Sequence, residues 1–506
     1  MSLLLILLAL TATLSPLLTG AALWQIKEWR MDRLREHLRS EGTFSQIFGT
    51  LRPAILACAA PLLLLSLLSP SLWTLSVLAL LAALTIAQCA ADRQPYPTWT
   101  LKALAIVSGA FLLLTAAAII LAGIRELLLV LLPFLAPIGL ALAWLVFLPI
   151  DRLLKRHIMT RAGTLRAHHP DLTVIGITGS VGKTTTKELL LHLLKPLGAH
   201  ATPAYVNTEM GVARWLITEL SVPQPPRILI VEMGAYRRGE IALLARIARP
   251  TIGIITFIGT QHIALFKSQE NLLHTKAELF RALPAGGLAI LNADSPFSNA
   301  LKALTVCPTI TVSTGEHADI EATEIEETPN GIRFRLGLQP VTVPLHGTHN
   351  VSNALLAIVT AENLGLKRAE IVRSLAGFRP PEHTFAVRTP VRGITLLDDT
   401  HNASVASFRA AIVWAKAQPE ETKVLLTSGL IELGEAEDRV HAALGVEAAD
   451  TFDRVIFTHR RHARAFEQGY GKPVETLGKL TQPVTPPALL ACIGRISQEN
   501  IRRLLP

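Results

Sequence analysis

The sequence predicts an α-helical membrane domain in residues 1–150 followed by α/β domains, and three observations lead to this prediction. Half of the 506 residues are hydrophobic. The mean hydropathy of +0.40 is too high for an ordinary soluble protein, and the apolar excess lies before residue 150. After that point, residues 173–194 read as a buried strand, a glycine-rich loop and a helix, which is the beginning of an α/β domain.

The apolar segments before residue 150 are predicted to be membrane spans. No polar face recurs along them, which argues against buried helices of a soluble domain. Most of them reach the length that a bilayer requires, and the second is short, so about five spans are expected. The predicted spans are Leu3–Leu23, Pro53–Leu68, Leu72–Ala90, Leu104–Leu121 and Leu127–Phe147.

Positive charge predicts the orientation of these spans. Basic residues are concentrated in Lys27–Arg39, after the first span, and in Arg152–Arg166, after the last one. Both segments should be cytoplasmic, which five spans with an outside N-terminus satisfy. The expected location is therefore the plasma (inner) membrane, with residues 151–162 as a basic cytoplasmic linker. A cleaved signal peptide is the alternative for residues 1–23, but no positive charge precedes the apolar run, so a retained anchor is favoured.

The net charge of +9 is assigned to the membrane surface, which makes membrane lipid an expected partner. A nucleic-acid partner is not expected, because no basic patch is interleaved with aromatic residues. The four cysteines form no CxxC pair, so neither a disulfide framework nor a zinc site is implied.

The segment TVIGITGSVGKTTTK at Thr173–Lys187 predicts a phosphate-binding loop between a strand and a helix. Its glycines let backbone N–H groups turn toward an anion, the lysine supplies a cation for the β- and γ-phosphates of ATP, and the following threonine offers a hydroxyl to Mg²⁺. Ile177 stands where the general form of this loop has a glycine. The loop residues expected to hold the nucleotide are Gly179, Ser180, Gly182, Lys183, Thr184 and Thr185.

The shorter loop form TGxxGKTT is typical of the Mur ligase superfamily, and further segments follow in that family's order. VNTEMGV, IVEMGAYRRGEI, HTKAELF, GTHNVSNALLAI and LLDDTHNAS resemble segments of the MurF type, which adds D-alanyl-D-alanine to the peptidoglycan precursor. The resemblance implies a central ATP-binding domain in residues 163–383 and a Rossmann-like C-terminal domain in residues 384–506. It also implies an ATP-dependent amide ligase that acts through an acyl phosphate and uses two Mg²⁺ sites.

The same resemblance implies the metal ligands. Glu232 ends an apolar strand and is expected to bind the first Mg²⁺ with Thr184, although an acid in this position could instead cap a helix. His262 is expected to bind the second Mg²⁺, the alternative being a structural histidine. Lys276 matches the lysine that Mur ligases carbamylate with CO₂, and an unmodified Lys276 paired with a phosphate is its alternative. Glu209 is expected to lie near these groups.

The nucleotide base and ribose have candidate partners by resemblance as well. Asn350 and Asn353 are expected to offer amides to the adenine edge, and Asp399 to bind ribose hydroxyls. Asn350 could instead serve only as a cap of the helix that follows.

The chain departs from the family pattern in three places. Thr384 stands where the family has an arginine that reaches the nucleotide, with Arg388 as a substitute on the same strand, and His401 replaces a tyrosine. No room is left between the last predicted span and the phosphate loop for the family's small uridine-diphosphate-binding domain. The acceptor, a muropeptide or another carboxylate precursor, is therefore expected at the bilayer in a lipid-linked or UDP-linked form, with an amino acid or dipeptide as the amine.

Two other classes of function stay open at the level of sequence. A membrane-bound polyamide synthase of the poly-γ-glutamate type shares the fold and a membrane anchor. A transport or regulatory protein could use the phosphate loop to gate the spans, but it would not need His262, Lys276 or a C-terminal domain, and the spans carry few charges.

Overall fold

The chain divides into two compact units, here called the N-terminal unit (Met1–Arg156) and the C-terminal unit (His157–Pro506). The computed structural model describes residues 2–506 with the exception of residues 32, 36–37, 39–46, 65–68, 260–265, 267, 316, 329–330, 381–384, 392, 401–402, 431–432, 434–435 and 479–480. For residues 388–391 it describes the backbone but not the side chains.

The N-terminal unit is a bundle of apolar helices that pack through small residues. Alanines 9, 12, 103 and 110 are fully buried, and a Cβ atom on Gly139 would lie 2.9 Å from Cγ of Leu114. Close helix contacts through small side chains are typical of membrane bundles. The α-helices are α1 (Ser2–Ile26), α2 (Leu51–Leu64), α3 (Pro70–Ala90), α4 (Leu101–Ile124) and α5 (Ala136–Ala167).

Four helical segments among the described residues are long and apolar enough to cross a membrane, by length and composition. They are α1, α3, α4 and the segment Glu126–Ala167. The second predicted span corresponds to α2, whose 14 residues rise only about 21 Å.

The apolar pattern predicted one regular helix for the last span, but the structure shows two helical segments. The span begins as a 3₁₀ helix, Glu126–Leu135, and continues as α5. Pro133 lies inside the 3₁₀ segment, and because proline has no N–H it cannot make an α-helical hydrogen bond there. The predicted basic linker at residues 151–162 forms part of α5.

Hydrogen bonds and an ion pair fix which helix ends lie together in the N-terminal unit. The Ser2 hydroxyl donates to the Glu126 carboxylate at one end of the bundle (2.6 Å). At the other end, the Gln25 amide donates to the Thr98 carbonyl (2.8 Å), and Lys102 pairs with Asp151 (2.8 Å). Helices α1 and α4 therefore run in opposite directions.

A nine-stranded sheet forms the first half of the C-terminal unit, in the order β2-β3-β1-β4-β5-β6-β7-β8-β9. It is parallel from β2 to β7, and β8 and β9 complete it as antiparallel strands. The strands are β1 (Thr173–Thr178), β2 (Ala199–Ala201), β3 (Ile228–Glu232), β4 (Ile252–Ile255), β5 (Leu288–Asn292), β6 (Thr309–Ser313), β7 (Ile320–Thr328), β8 (Gly331–Leu336) and β9 (Gln339–Val343).

Helices cover both faces of this sheet, because its central strands are apolar on both sides. Ile175 and Ile177 of β1 belong to one apolar layer, whereas Val174 of the same strand belongs to the layer on the opposite face. The helices are α6 (Lys183–Leu194), α7 (Glu209–Leu220), α8 (Glu240–Ala248), α9 (Gln269–Arg281), α10 (Ser298–Ala303), α11 (His349–Asn363) and α12 (Arg368–Leu375).

A second sheet of six strands forms the rest of the unit, in the order β10-β11-β15-β12-β13-β14. Only the edge strand β10 is antiparallel to its neighbour. This confirms the α/β prediction for the part of the chain after the apolar segments. The elements are β10 (Ala386–Val391), β11 (Ile394–Asp399), α13 (Val405–Lys416), β12 (Thr422–Thr427), α14 (Glu437–Ala448), β13 (Arg454–Phe457), α15 (Ala463–Tyr470), β14 (Glu475–Thr476), β15 (Ala488–Ile493) and α16 (Gln498–Arg502).

Candidate active site

The predicted phosphate loop lies at the carboxyl end of β1, directly before α6. Its backbone is held by the neighbouring strand segment, since the amides of Ser180 and Val181 both donate to the Phe257 carbonyl (2.9 and 3.3 Å). The Ser180 hydroxyl is buried and has no hydrogen-bond partner among the described residues. A buried polar group of this kind suits an anion seated at the helix N-terminus.

Two glycines are required by the geometry of the loop. Gly179 has φ +150°, and a Cβ atom there would lie 1.9 Å from Oγ1 of Thr256. Gly182 has φ +88°, and its Cβ atom would lie 2.2 Å from Oδ1 of Asn353. Side chains at these positions would therefore meet both a steric and a conformational barrier.

Lys183 begins α6 and folds back over the loop. Its Nζ donates to the carbonyls of Gly179 and Ser180 (3.0 and 3.2 Å). Burial lowers the pKa of Lys183, and nearby Glu232 partly opposes this effect. The ammonium group is thus held at the loop, where it can transfer its hydrogen bonds to phosphate oxygens.

Thr184 and Glu232 form a pair that fits a divalent cation. The Thr184 hydroxyl donates to Oε2 of Glu232 (3.1 Å). A hydroxyl and a carboxylate oxygen beside a phosphate site are the ligands that Mg²⁺ prefers. In the described part of the chain, the Glu232 carboxylate accepts hydrogen bonds from side chains and not from a backbone N–H, so it does not cap a helix.

Two residues that sequence reasoning missed orient Glu232. Asn207 donates from Nδ2 to Oε1 of Glu232 (3.2 Å). Lys187 is fully buried, donates to the Thr202 carbonyl (2.9 Å) and lies 3.5 Å from Oε2 of Glu232. In the segment VNTEMGV the sequence predicts Glu209 near the metal ligands, whereas the structure shows that Asn207 lines the cleft and contacts Glu232.

Lys276 lies on α9 and reaches the same cleft. It is buried, with 3% of its surface exposed, and its Nζ lies 5.9 Å from the centre of the Phe266 ring. Burial and the positive charge of Lys183 lower the pKa of Lys276 to about 7. An amine with this pKa is largely neutral at slightly alkaline pH, which is the form that reacts with CO₂.

Asp399 ends β11 and presents an unpaired oxygen to the cleft. Its Oδ1 accepts a hydrogen bond from the Phe385 amide (3.2 Å), whereas its buried Oδ2 has no partner in the described residues. Burial raises the pKa of Asp399 to about 6. The nearby Asp398 also raises this pKa, whereas the hydrogen bonds that the Asp399 carboxylate accepts lower it. The free oxygen fits the predicted role of accepting hydrogen bonds from ribose hydroxyls.

Asn350 and Asn353 lie on α11 and are bonded to each other. Asn353 donates from Nδ2 to Oδ1 of Asn350 (2.8 Å), and Asn350 donates to the His346 carbonyl (2.7 Å). Thr348, not Asn350, occupies the N-cap position of α11. The capping alternative is therefore wrong, and both amides line the cleft.

Apart from Glu209, the predicted site residues whose side chains the structure describes surround one cleft of about 640 Å³. It lies where the carboxyl ends of β1 and β3 face the carboxyl end of β11. Arg495 and His349 also line it and were not predicted. Arg495 could have been found in the sequence because it follows the apolar strand β15. Burial lowers the pKa of His349 to about 4.

Several predicted residues lie outside the described part of the chain. These are His262, Thr384 and His401, together with the side chain of Arg388. The predictions for them therefore remain predictions.

A family model of the Mur ligase middle domain matches residues 177–361. The UDP-N-acetylmuramoyl-tripeptide–D-alanyl-D-alanine ligase of Escherichia coli K12 is 31% identical over 311 residues, which cover 59% of this chain and 67% of that protein. This chain belongs to the Mur ligase family. The enzyme of the same name from Mycobacterium tuberculosis H37Rv is 37% identical over 287 residues, or 54% of this chain.

The Mur ligase fold is also seen in a solved structure, that of MurF from Acinetobacter baumannii. It superposes with a TM-score of 0.62 and 26% identity, covering 69% of this chain and 80% of that one. The predicted resemblance to the MurF type is confirmed by these relatives. The match spans little more than half, 56%, of the mycobacterial relative's length.

Proposed function

We propose that this Mur ligase is an ATP-dependent amide ligase of the MurF type. It joins an amino acid or dipeptide, D-alanyl-D-alanine by analogy with its relatives, to a carboxylate of a cell-wall precursor. The observation that carries the proposal is the cleft in which Lys183 and Thr184 of α6 and Glu232 of β3 meet Asp399 of β11, with Lys276 also lining it.

The residues of the cleft fit the activation of a carboxylate by ATP. The loop amides and Lys183 hold the β- and γ-phosphates, and the unpaired oxygen of Asp399 accepts from the ribose. Thr184 and Glu232 would hold Mg²⁺, and a second site would use Lys276 and His262. Bound Mg²⁺ supplies positive charge that offsets the charge of the transferring phosphate.

Lys276 would act after carbamylation. Its neutral amine attacks CO₂, an N–C bond forms and a proton leaves, so that a cation becomes an anion able to bind metal. A bare ammonium group would repel a dication, whereas a carbamate attracts it. The lowered pKa of Lys276 and its burial beside Lys183 support this role.

The two chemical steps then follow in order. The acceptor carboxylate attacks the γ-phosphorus and ADP leaves, which gives an acyl phosphate. The amine attacks the acyl carbon, inorganic phosphate leaves, and the ammonium proton is lost to give the amide. Arg495 lines the cleft and provides a cation for the anionic acceptor.

ADP release by the detergent-solubilised full-length protein tests this function. UDP-linked and lipid-linked muropeptides are each paired with D-alanyl-D-alanine, L-amino acids or glutamate. We expect ADP release only when acceptor and amine are both present, with D-alanyl-D-alanine most effective. Release that needs glutamate alone would favour a polyamide synthase, and release that no acceptor or amine stimulates would contradict the ligase assignment.

The proposal extends to location, with the N-terminal unit in the plasma membrane and the ATP-binding cleft in the cytoplasm. The outward faces of the bundle are apolar, as Leu80, Leu112, Ile120 and Val146 are all more than half exposed. A surface of this kind suits lipid better than water. Trp99, which is 55% exposed, lies at the bundle end that carries Lys102, as expected at a membrane interface.

Labelling of introduced cysteines tests whether the ATP-binding cleft is cytoplasmic. The four native cysteines, Cys58, Cys89, Cys307 and Cys492, are first replaced, and single cysteines are then introduced at Arg35, Arg93 or Ser71. We expect an impermeant thiol reagent to label Ser71→Cys in intact cells and to label Arg35→Cys and Arg93→Cys only after the cells are opened. The reverse pattern would place the cleft outside, away from ATP.

A further inference from the structure

The N-terminal unit contains a buried polar cluster that ligase chemistry does not use. It lies between α1, α2 and α3 in an otherwise apolar bundle, at the end where α2 begins and α3 ends. This group, here called the Arg52 cluster, consists of Ser15, Thr19, Arg52, Thr85, Gln88 and Gln94.

Arg52 is the centre of the cluster and is 3% exposed. Its guanidinium donates to Oε1 of Gln88 (2.7 Å), to the Thr85 hydroxyl (3.4 Å) and to the Phe48 carbonyl (3.3 Å). All three acceptors are neutral. The Nε atom of Arg52 is buried without a partner among the described residues.

The rest of the cluster supports this arrangement and leaves a second polar atom unpaired. Ser15 donates to the same Gln88 oxygen (2.9 Å), and Gln94 donates to the Thr19 hydroxyl (3.1 Å). The buried Oε1 of Gln94 has no partner in the described part of the chain. Gln88 itself is only partly buried, so the cluster reaches the surface of the bundle through it.

A buried guanidinium with neutral neighbours is costly. Arginine stays cationic in proteins, so it cannot lose its charge to avoid the cost of burial. Charged groups inside a membrane bundle are normally paired and mark functional sites. Among the described residues, which do not include Asp32, Glu36 and Glu41, no carboxylate lies within ion-pair distance of Arg52. An anion from outside the chain can therefore supply the missing negative charge.

The position of the cluster indicates what supplies that charge. Arg52 is the second residue of α2 and Gln88 the third from the end of α3, so both lie near one end of the bundle. The exposed Arg93 and the Lys102–Asp151 pair belong to the same end. In the proposed topology these ends of α2 and α3 face the inner leaflet, where phosphate groups are the abundant anions. On α1 the cluster includes Ser15 and Thr19, which lie within the helix.

We propose that the Arg52 cluster binds the phosphate of a membrane lipid. The buried guanidinium would donate to the phosphate oxygens when the partly buried Gln88 side chain, through which the cluster reaches the surface, moves aside. Arginine matches phosphate geometry better than lysine does. The phosphate could belong to a glycerophospholipid or to a polyprenyl-linked precursor. This inference rests on the membrane location proposed above and is independent of the ligase step.

Lipid binding by the delipidated full-length protein in maltoside detergent tests the proposal. The probes are phosphatidylglycerol, undecaprenyl phosphate, a galactosyl diacylglycerol that has no phosphate, and inorganic phosphate. Affinity is measured by native mass spectrometry, and the unfolding temperature is recorded with and without each probe. Arg93→Gln is the matched control, because it removes an exposed arginine from the same end of the bundle.

We expect both phosphate lipids, or one of them, to bind the wild type and raise its unfolding temperature by about 3 °C or more at saturation. Arg52→Gln should weaken that binding at least about tenfold, while Arg93→Gln should leave it unchanged. Binding of phosphatidylglycerol would identify a bilayer lipid, and selective binding of undecaprenyl phosphate a lipid-linked precursor. Inorganic phosphate alone should bind weakly, because it lacks an acyl or prenyl chain.

Three results would overturn the proposal. The galactolipid could bind as tightly as the phosphate lipids, the wild type could bind neither phosphate lipid, or Arg52→Gln could lower the unfolding temperature without changing lipid affinity. The last result would show that Arg52 only holds the helices together. If Arg52→Gln does not fold, Arg52→Lys replaces it, with weaker binding expected at an unfolding temperature near that of the wild type.

Sedimentation of cell membranes separates this inference from the location on which it depends. A protein that remains in the supernatant would contradict the membrane location itself. A protein that sediments with membranes but fails the lipid-binding test would contradict only the phosphate site.

Discussion

Lys276→Ala is expected to abolish nearly all ligase activity, by at least about 10³-fold. The substitution removes the group whose carbamate would hold the second metal. Substrate-dependent ADP release measures the loss. Lys302→Ala, which removes an exposed lysine, is the matched control and should keep wild-type activity.

Chemical rescue distinguishes a carbamate from an unmodified lysine. Acetate or formate should partly restore the activity of Lys276→Ala by filling the vacated anion position. Rescue should fail when His262→Ala is added, because the second metal would then have neither ligand. Ordinary activity of Lys276→Ala would refute the carbamate role, and an inactive variant that no carboxylate rescues would favour direct contact between Lys276 and phosphate.

The pKa of Lys276 adds a pH dependence to the same prediction. Because the pKa of Lys276 is about 7, its neutral amine predominates above pH 7. Well below pH 7, the neutral fraction falls about tenfold for each pH unit. Incubation with ¹³C-bicarbonate should therefore give a carbamate resonance readily at pH 8 and poorly at pH 6. The resonance should be missing from Lys276→Ala.

Lys183→Ala is expected to reduce ATP turnover by at least about 10²-fold to 10³-fold. In the structure the Lys183 ammonium group donates hydrogen bonds to two loop carbonyls. From this position it can bind the β- and γ-phosphates. Membrane insertion should be unaffected, because the residue lies far along the sequence from the apolar helices. ADP release and nucleotide binding are measured together with membrane sedimentation.

Lys195→Ala is the control for this second prediction. Lys195 is exposed and directly follows the helix that Lys183 begins, so it tests the loss of a lysine without the loss of phosphate contact. Unchanged ADP release by Lys183→Ala would contradict the nucleotide assignment. Equal losses in both variants would indicate damage to the fold instead.

Local patterns predicted the elements that carry most of the site. The apolar run before Gly179 predicted β1, and the glycine spacing predicted the loop before α6, because strand burial and loop turns depend on neighbours in sequence. Glu232 was found because it ends an apolar strand, and parallel strands present such groups at one edge. The apolar pattern did not reveal that the last span begins as a 3₁₀ helix.

Neighbours in sequence were enough to predict the apolar helices before residue 150, the phosphate loop at Gly179–Thr185 and the Mur ligase order of motifs. The folded structure was needed to show that Asn207 and Lys187 contact the Glu232 carboxylate. It also decided that Asp399 keeps an unpaired oxygen in the cleft and that Arg52 is buried among neutral groups. The physical reason is that burial and charge pairing depend on residues that are far apart in sequence and adjacent only after folding.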